Sequence, residues 1–367
     1  MIDPQDFVNG LNDAGIDFAT GVPDSLLKDI CAYITSSFDN KNHIISTNEG
    51  SALSFAAGYY LSQRKPALVY MQNSGLGNIV NPVMSLFHPK VYGIPVILLI
   101  GWRGEINEQG VQIKDEPQHI KQGSSTIELL EIMEIPYVIL DSKNQDIKTM
   151  ISELKNRSLE SNSPVAILVR KNTFSKFRLK LKSQIFELTR EDVIMNIVKR
   201  IPSNIPIVST TGMTSRELFE IRKNSNDIHA KDFLTVGGMG HASQIAAGIA
   251  FASPNKKVLC IDGDGALLMH SGGMAISADC QNLVHVLINN EAHDSVGGQP
   301  TKGNKLNFHD IARNFGYSNV YKVFNSISLS KAIDESIKSS KSTFIEVSCR
   351  KGHREDLGRP DRTPREN

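Results

Sequence analysis

The sequence predicts an α/β protein made of two doubly wound parallel sheets, from three observations. Short apolar runs alternate with helix-like segments along the whole chain, the pattern of parallel strands joined by helical crossovers. At 367 residues the chain is longer than one typical domain, and a length prior of roughly 150 residues per domain suggests two. The rhythm breaks only at residues 171–190, which are rich in Lys and Arg, leaving two halves of similar size. The boundaries set from this are 1–172 for the first domain, 173–190 for a linker and 191–367 for the second.

In the first half, strands are expected at 18–20, 43–47, 67–71, 95–100, 137–140 and 165–169, with helices such as 51–62 and 124–133 between them. The second half repeats the scheme at 207–209, 233–236, 257–261, 283–288, 320–323 and 343–348. Hydrophobic residues make up 40% and charged residues 22%, enough for two ordinary cores. The formal charge is +1, from 40 basic against 39 acidic residues, so no global field favours nucleic acid or a membrane surface. Cys31, Cys260, Cys280 and Cys349 form no CxxC pair, which leaves iron–sulfur and zinc-ribbon readings without support and makes reduced thiols the default. The N-terminus shows no basic segment leading into an apolar one, and no apolar run approaches the ~18 residues of a membrane span. A soluble cytoplasmic protein is expected.

Chemistry concentrates at the ends of the expected strands. Gly263-Asp264-Gly265 follows strand 257–261, and Asn289-Asn290 ends strand 283–288. From Asp264 to Asn290 is 290 − 264 = 26 positions, room for a crossover helix and the next parallel strand. A carboxylate and an amide oxygen there are hard donors suited to magnesium. Either motif alone is an ordinary turn; the ordered pair is the signal. An EF-hand is excluded, because Ala266 and Leu267 stand where that loop needs oxygen ligands. Gly237-Gly238-Met239-Gly240-His241 follows strand 233–236 and lets the backbone approach a ligand while the Met side chain intrudes. Glu49 precedes the helix of residues 50–61, where an acid also favours the helix dipole. Asn73 to Asn78 contains Gly75 and Gly77 but no third glycine, and Ile97-Leu98-Leu99 occupy the place of the expected acid, so a dinucleotide-binding dehydrogenase is disfavoured.

The ordered pair, together with Glu49 and the Met239 cluster, resembles the signature of thiamine-diphosphate enzymes. The resemblance implies two domains of the thiamine-diphosphate-binding type, a pyrimidine domain and then a diphosphate domain. It implies a glutamate, here Glu49, bonded to N1′ of the aminopyrimidine so that the 4′ nitrogen becomes a base. Met239 would wedge between the cofactor rings, the Gly237 carbonyl would take the 4′-amino proton, and Gly75 would line the cleft. Gly263, Gly265 and the backbone N–H groups of Ala266 and Leu267 would meet the diphosphate, with the Gly212 turn as a weaker candidate. Asp264, Asn290 and the Ala292 carbonyl would hold Mg2+.

Decarboxylases of this kind usually carry a middle domain, for which residues 173–190 leave no room. The short layout resembles phosphonopyruvate decarboxylases, with sulfopyruvate decarboxylases as the nearest alternative. Residues 21–25, 72–81, 115–119, 289–301 and 351–360 carry the likeness. It implies decarboxylation of 3-phosphonopyruvate to phosphonoacetaldehyde in phosphonate biosynthesis. A doubly anionic substrate calls for cations and donors; His88, Lys90, Arg103, His119, His270, His293, Lys302, Arg354 and Arg359 are available. His119 and His293 rank first as catalytic candidates because each is expected in a loop near the motifs. Asp24, Ser25, His119, Arg354 and Arg359 are the substrate candidates, while Asp294 has no evident place beside an anion. The resemblance also implies a homo-oligomer, a dimer at minimum, with active sites between subunits. A non-catalytic cofactor-binding protein is the rival from another class, but it has no need of the N1′ acid.

Overall fold

Every pairing in the two large sheets is parallel, as long apolar runs separated by helices require. The computed structural model describes residues 1–144, 146–180, 184–225, 231–361 and 363–366. It divides into two compact units, Met1–Lys180 and Leu181–Asn367.

The first unit contains β1 (Ala19–Gly21), β2 (His43–Ile45), β3 (Leu68–Gln72), β4 (Val96–Gly101), β5 (Tyr137–Leu140) and β6 (Pro164–Val169). They are ordered β2-β1-β3-β4-β6-β5. β4 is buried along its whole length, and its residues alternate between two cores. Ile97 and Leu99 join Phe7, Leu11, Ile30 and Tyr70 on one side; Leu98 and Ile100 join Phe18, Leu53 and Met71 on the other. Truncating such a side chain to Ala costs about 2–5 kcal/mol. After β1 the chain adds β2 on one side and β3 on the other. That reversal is a topological switch point, where open α/β sheets place ligands.

The second unit contains β7 (Ile207–Ser209), β8 (Phe233–Leu234), β9 (Val258–Gly263), β10 (Leu283–Asn289), β11 (Ala292–His293), β12 (Gln299–Pro300), β13 (Asn319–Val323) and β14 (Thr343–Ser348). Its large sheet runs β13-β14-β10-β9-β7-β8, with a switch point between β7 and β9. β11 and β12 form a separate antiparallel hairpin, which was not anticipated. Two residues per strand are too few to show alternation.

Three differences from expectation have local causes. The helix expected at 124–133 begins earlier, as Pro117–Ile132. Pro117 stands at its N-terminus, a position whose fixed φ and missing N–H favour a helix start. His119 is therefore a buried helical residue and not a loop residue. β8 stops at Leu234, short of the expected 236, and beyond it Gly238 and Gly240 take left-handed φ values of 65° and 91°. Within the expected linker 173–190, Phe174 bridges to Ile2 and Thr189 caps the helix Arg190–Arg200 with a capping box. Residues 181–183 of that linker lie outside the described residues.

Candidate active site

In the first unit, Glu49 is the first residue of the helix Glu49–Gln63, whose N-cap Asn48 accepts the Ser51 N–H. Its side chain turns inward, is buried, and lies against Gly75. A Cβ on Gly75 would stand 2.7 Å from the Glu49 carboxyl carbon, so only glycine leaves the carboxyl in place. Asn78 Nδ2 donates to Glu49 Oε2 at 2.7 Å. Burial raises the Glu49 pKa against that hydrogen bond. Burial thus favours the protonated carboxyl relative to one in water. The helical turns that follow β3 (Asn73–Gly75 and Leu76–Pro82) thus supply both the floor and the second partner of Glu49, and Asn78 was not singled out from sequence.

A second group gathers at the ends of β1 and β4. Asp24 is buried, its Oδ2 accepts from the N–H groups of Leu26 and Leu27, and it presses on Gly101. Burial raises its pKa to about 6. Arg103 grips Asp115 through Nε and Nη2 at 2.7 and 2.5 Å, and its Nη1 donates to Ser25 Oγ at 2.7 Å. His119 Nδ1 stands 3.3 Å from Gln122 Oε1, and burial followed by the charge of Arg103 lowers its pKa. Asp24, Ser25 and His119 are therefore neighbours of Arg103, which sequence reasoning offered only as one cation among nine.

In the second unit, Asp264 opens the six-residue helix Asp264–Met269 beyond β9. Its buried carboxylate accepts from the Thr301 hydroxyl. Its Oδ2 and the Asn289 Oδ1 both close on the Cα of Gly303, where a side chain would collide with them. Burial raises the Asp264 pKa to about 7, and no basic side chain pairs with it among the described residues. A buried carboxylate is costly unless a cation neutralises it, and a carboxylate beside the Thr301 hydroxyl and the Asn289 amide oxygen offers the hard oxygen donors that suit Mg2+. The residues present fit the expected metal. Asn290 is buried, with Nδ2 on Asp294 and Oδ1 accepting the Ala292 N–H at 3.2 Å. Among the backbone donors, Ala266 sits in the first helical turn, where an N–H has no carbonyl within the helix to bond; Leu267 lies one position too far along for that.

The glycines have distinct tasks. Gly265 has His293 packed on it, with Cε1 2.8 Å from where a Cβ would stand. His293 follows Ala292 on β11, and burial lowers its pKa to about 4. Gly212 (φ 90°) caps the helix Met213–Asn224 and lies against Ser295. Gly237 and Met239 are half-buried in the loop after β8, and nothing stands near the Cα of the intervening Gly238. Gly263 is likewise open apart from Thr210.

Two expected substrate cations are engaged by groups of the protein itself. Arg354 binds Glu191 at 2.9 Å, Asp356 at 3.2 Å, and Glu220; three carboxylates leave it no surplus charge for an anion. Arg359 is exposed in the tail and engaged in an interaction of its own. Asp294, without a place in the sequence reading, is the buried partner of Arg190, which also holds Glu217 through two bonds of 2.8 Å.

Residues 5–125 match the N-terminal binding domain of thiamine pyrophosphate enzymes, and residues 208–347 match the C-terminal one. Phosphonopyruvate decarboxylase of Streptomyces viridochromogenes is 30% identical over all of this chain and 93% of its own length. That of Streptomyces hygroscopicus is also 30% identical, over all of this chain and 92% of its own. The alpha subunit of sulfopyruvate decarboxylase from Methanococcus maripaludis is 38% identical over 43% of this chain and 87% of its own length.

Proposed function

The chain belongs to the thiamine pyrophosphate enzyme family as a decarboxylase that uses thiamine diphosphate (the same compound) and Mg2+, and from that premise we propose 3-phosphonopyruvate as its substrate. The products would be phosphonoacetaldehyde and carbon dioxide, within the biosynthesis of 2-aminoethylphosphonate or related phosphonates. The full-length likeness to two phosphonopyruvate decarboxylases carries this reading.

When bound, the cofactor supplies an electron sink for the pair released as the carboxylate leaves. The chain's own groups bind and orient. Glu49, backed by Gly75 and Asn78, holds a proton at N1′ of the pyrimidine. Asp264, Asn290 Oδ1 and the Ala292 carbonyl hold the metal, with Thr301 fixing the Asp264 carboxylate. The loop of Gly237 and Met239 receives the rings, and the Ala266 N–H meets the diphosphate. Arg103, steadied by Asp115, presents a cation beside Ser25 and His119 for the anionic ends of the substrate. These assignments give the first unit the pyrimidine role and the second the diphosphate role, in a homo-oligomer of at least two copies.

Sulfopyruvate is the second reading, favoured by the higher identity to the sulfopyruvate decarboxylase alpha subunit over its shorter match. Incubating the purified protein with thiamine diphosphate, Mg2+ and each of phosphonopyruvate, sulfopyruvate and pyruvate, then measuring carbon dioxide release, decides between them. A kcat/KM highest for phosphonopyruvate supports the proposal; a higher value for sulfopyruvate replaces it.

A further inference from the structure

Directly before the Asp264 loop, three side chains with metal-binding chemistry meet inside the second sheet. Cys260 and Asp262 are two residues apart on β9 and so project to one face. His285 on β10 is the register partner of Cys260. All three are fully buried, and their Sγ, carboxylate oxygen and imidazole nitrogen lie within 4.8 Å of one another.

Two of those atoms have no hydrogen-bond partner. His285 Nε2 and Asp262 Oδ2 are both buried and unsatisfied, and they stand 3.6 Å apart. That gap exceeds a hydrogen bond. It is close to the edge of a tetrahedral zinc site, because nitrogen and oxygen ligands about 2.0–2.2 Å from the ion stand about 3.4 Å from each other. The remaining atoms of both residues are already fixed. His285 Nδ1 pairs with the Tyr317 hydroxyl at 2.8 Å, and Asp262 Oδ1 accepts the Gly263 N–H at 2.9 Å. Holding the second imidazole nitrogen is what outer groups do for a metal-bound histidine.

We propose that Cys260, Asp262 and His285 bind one zinc ion, at a site distinct from the Mg2+ site of Asp264. The Cys260 thiol gives up its proton to solvent as the Zn–S bond forms. One thiolate and one carboxylate then balance the dication, leaving no net charge in the core. A water completes four-coordination. The site is structural: it ties β9 to β10 immediately before Gly263 and Asp264. It stands independently of which 2-oxo acid is the substrate.

The test uses the full chain purified with thiamine diphosphate and Mg2+, dialysed free of loose metal and analysed by mass spectrometry of the metals. The expected result is about one zinc per chain, retained in Asp264→Ala and lost in folded Cys260→Ser and His285→Gln. Protein grown with cobalt should show a near-ultraviolet thiolate-to-cobalt band that Cys260→Ser lacks. The proposal is overturned by wild-type protein with neither zinc nor the cobalt band, a measurement that needs no variant to fold. It is equally overturned if zinc follows Asp264, or if it survives both substitutions at the cluster.

Discussion

Asn290 donates its amide to Asp294 Oδ2 at 2.7 Å, and the same oxygen receives the Arg190 guanidinium at 2.9 Å and the Gly352 N–H at 3.0 Å. An amide so held keeps its nitrogen toward Asp294 and its Oδ1 on the other side, the atom a metal would use. With Asn290 as a metal ligand, Asp294 would act as its orienting group. Asp294→Ala should weaken cofactor binding in the way Asp264→Ala and Asn290→Ala do, but less severely, by about 1–3 kcal/mol. Titrating thiamine diphosphate at several Mg2+ concentrations measures this, and raised Mg2+ should partly rescue all three. Unchanged affinity in Asp264→Ala and Asn290→Ala would reject the metal assignment.

Glu49→Gln should fold and bind the diphosphate, with turnover lower by about 10²–10⁴-fold, the usual worth of a positioned proton-transfer group. Gly75→Ala tests the same site from behind. Its Cβ would stand 2.7 Å from the Glu49 carboxyl carbon, so kcat should fall while thermal stability changes little. Hydrogen exchange at C2 of the bound cofactor reads both variants, and near-normal exchange in Glu49→Gln would remove it from the mechanism.

Asp24 gives a stability test with a definite sign. Burial raises its folded pKa from 3.8 to about 6, so the folded state binds the proton more tightly. That contribution is complete below pH ~4 and is lost as pH rises through ~6, up to about 3 kcal/mol at 1.36 kcal/mol per pKa unit. Asp24→Asn should therefore gain stability over the wild type as pH rises across this window, in denaturant titrations. A parallel pH dependence in the two proteins would show that Asp24 does not carry it.

Phosphonopyruvate should be preferred to sulfopyruvate, and both to pyruvate, which lacks the second anion. One lost charge-assisted contact costs about 1.5–3 kcal/mol, or about tenfold to a hundredfold in kcat/KM. Arg103→Met should shrink the preference over pyruvate, whereas Arg354→Met should leave it intact. Equal kcat/KM for pyruvate and phosphonopyruvate in the wild type would discard the phosphonate reading and leave the thiamine chemistry standing.

The sheets were legible because buried parallel strands read as apolar runs ended by chemical loops, unbroken in β4 and interrupted only by His285 within residues 283–288 of β10. Glu49 and Asp264 could be read at those ends. The Glu49–Gly75 contact could not, since it joins residues 75 − 49 = 26 positions apart by the absence of a side chain. Thr301 was quoted only for family likeness; its hydroxyl reaches Asp264 through the β11–β12 hairpin, which has no periodicity to betray it. The three acidic partners of Arg354 could not be read, because two of them are distant in sequence and the third is an ordinary tail residue.

The hairpin also sets where the hydroxyl that meets Asp264 stands. Its base is closed by the Thr301 N–H on the Glu291 carbonyl at 3.1 Å, beside Asn290 and the hydroxyl that holds Asp264. Its tip, after Asp294, turns on Gly297 and Gly298 with left-handed φ values of 119° and 76°. Both positions favour glycine, so the chain from Asp294 to Gly298 is held to one path, and the register that carries the Thr301 hydroxyl to Asp264 depends on a turn that contains none of the site's own side chains.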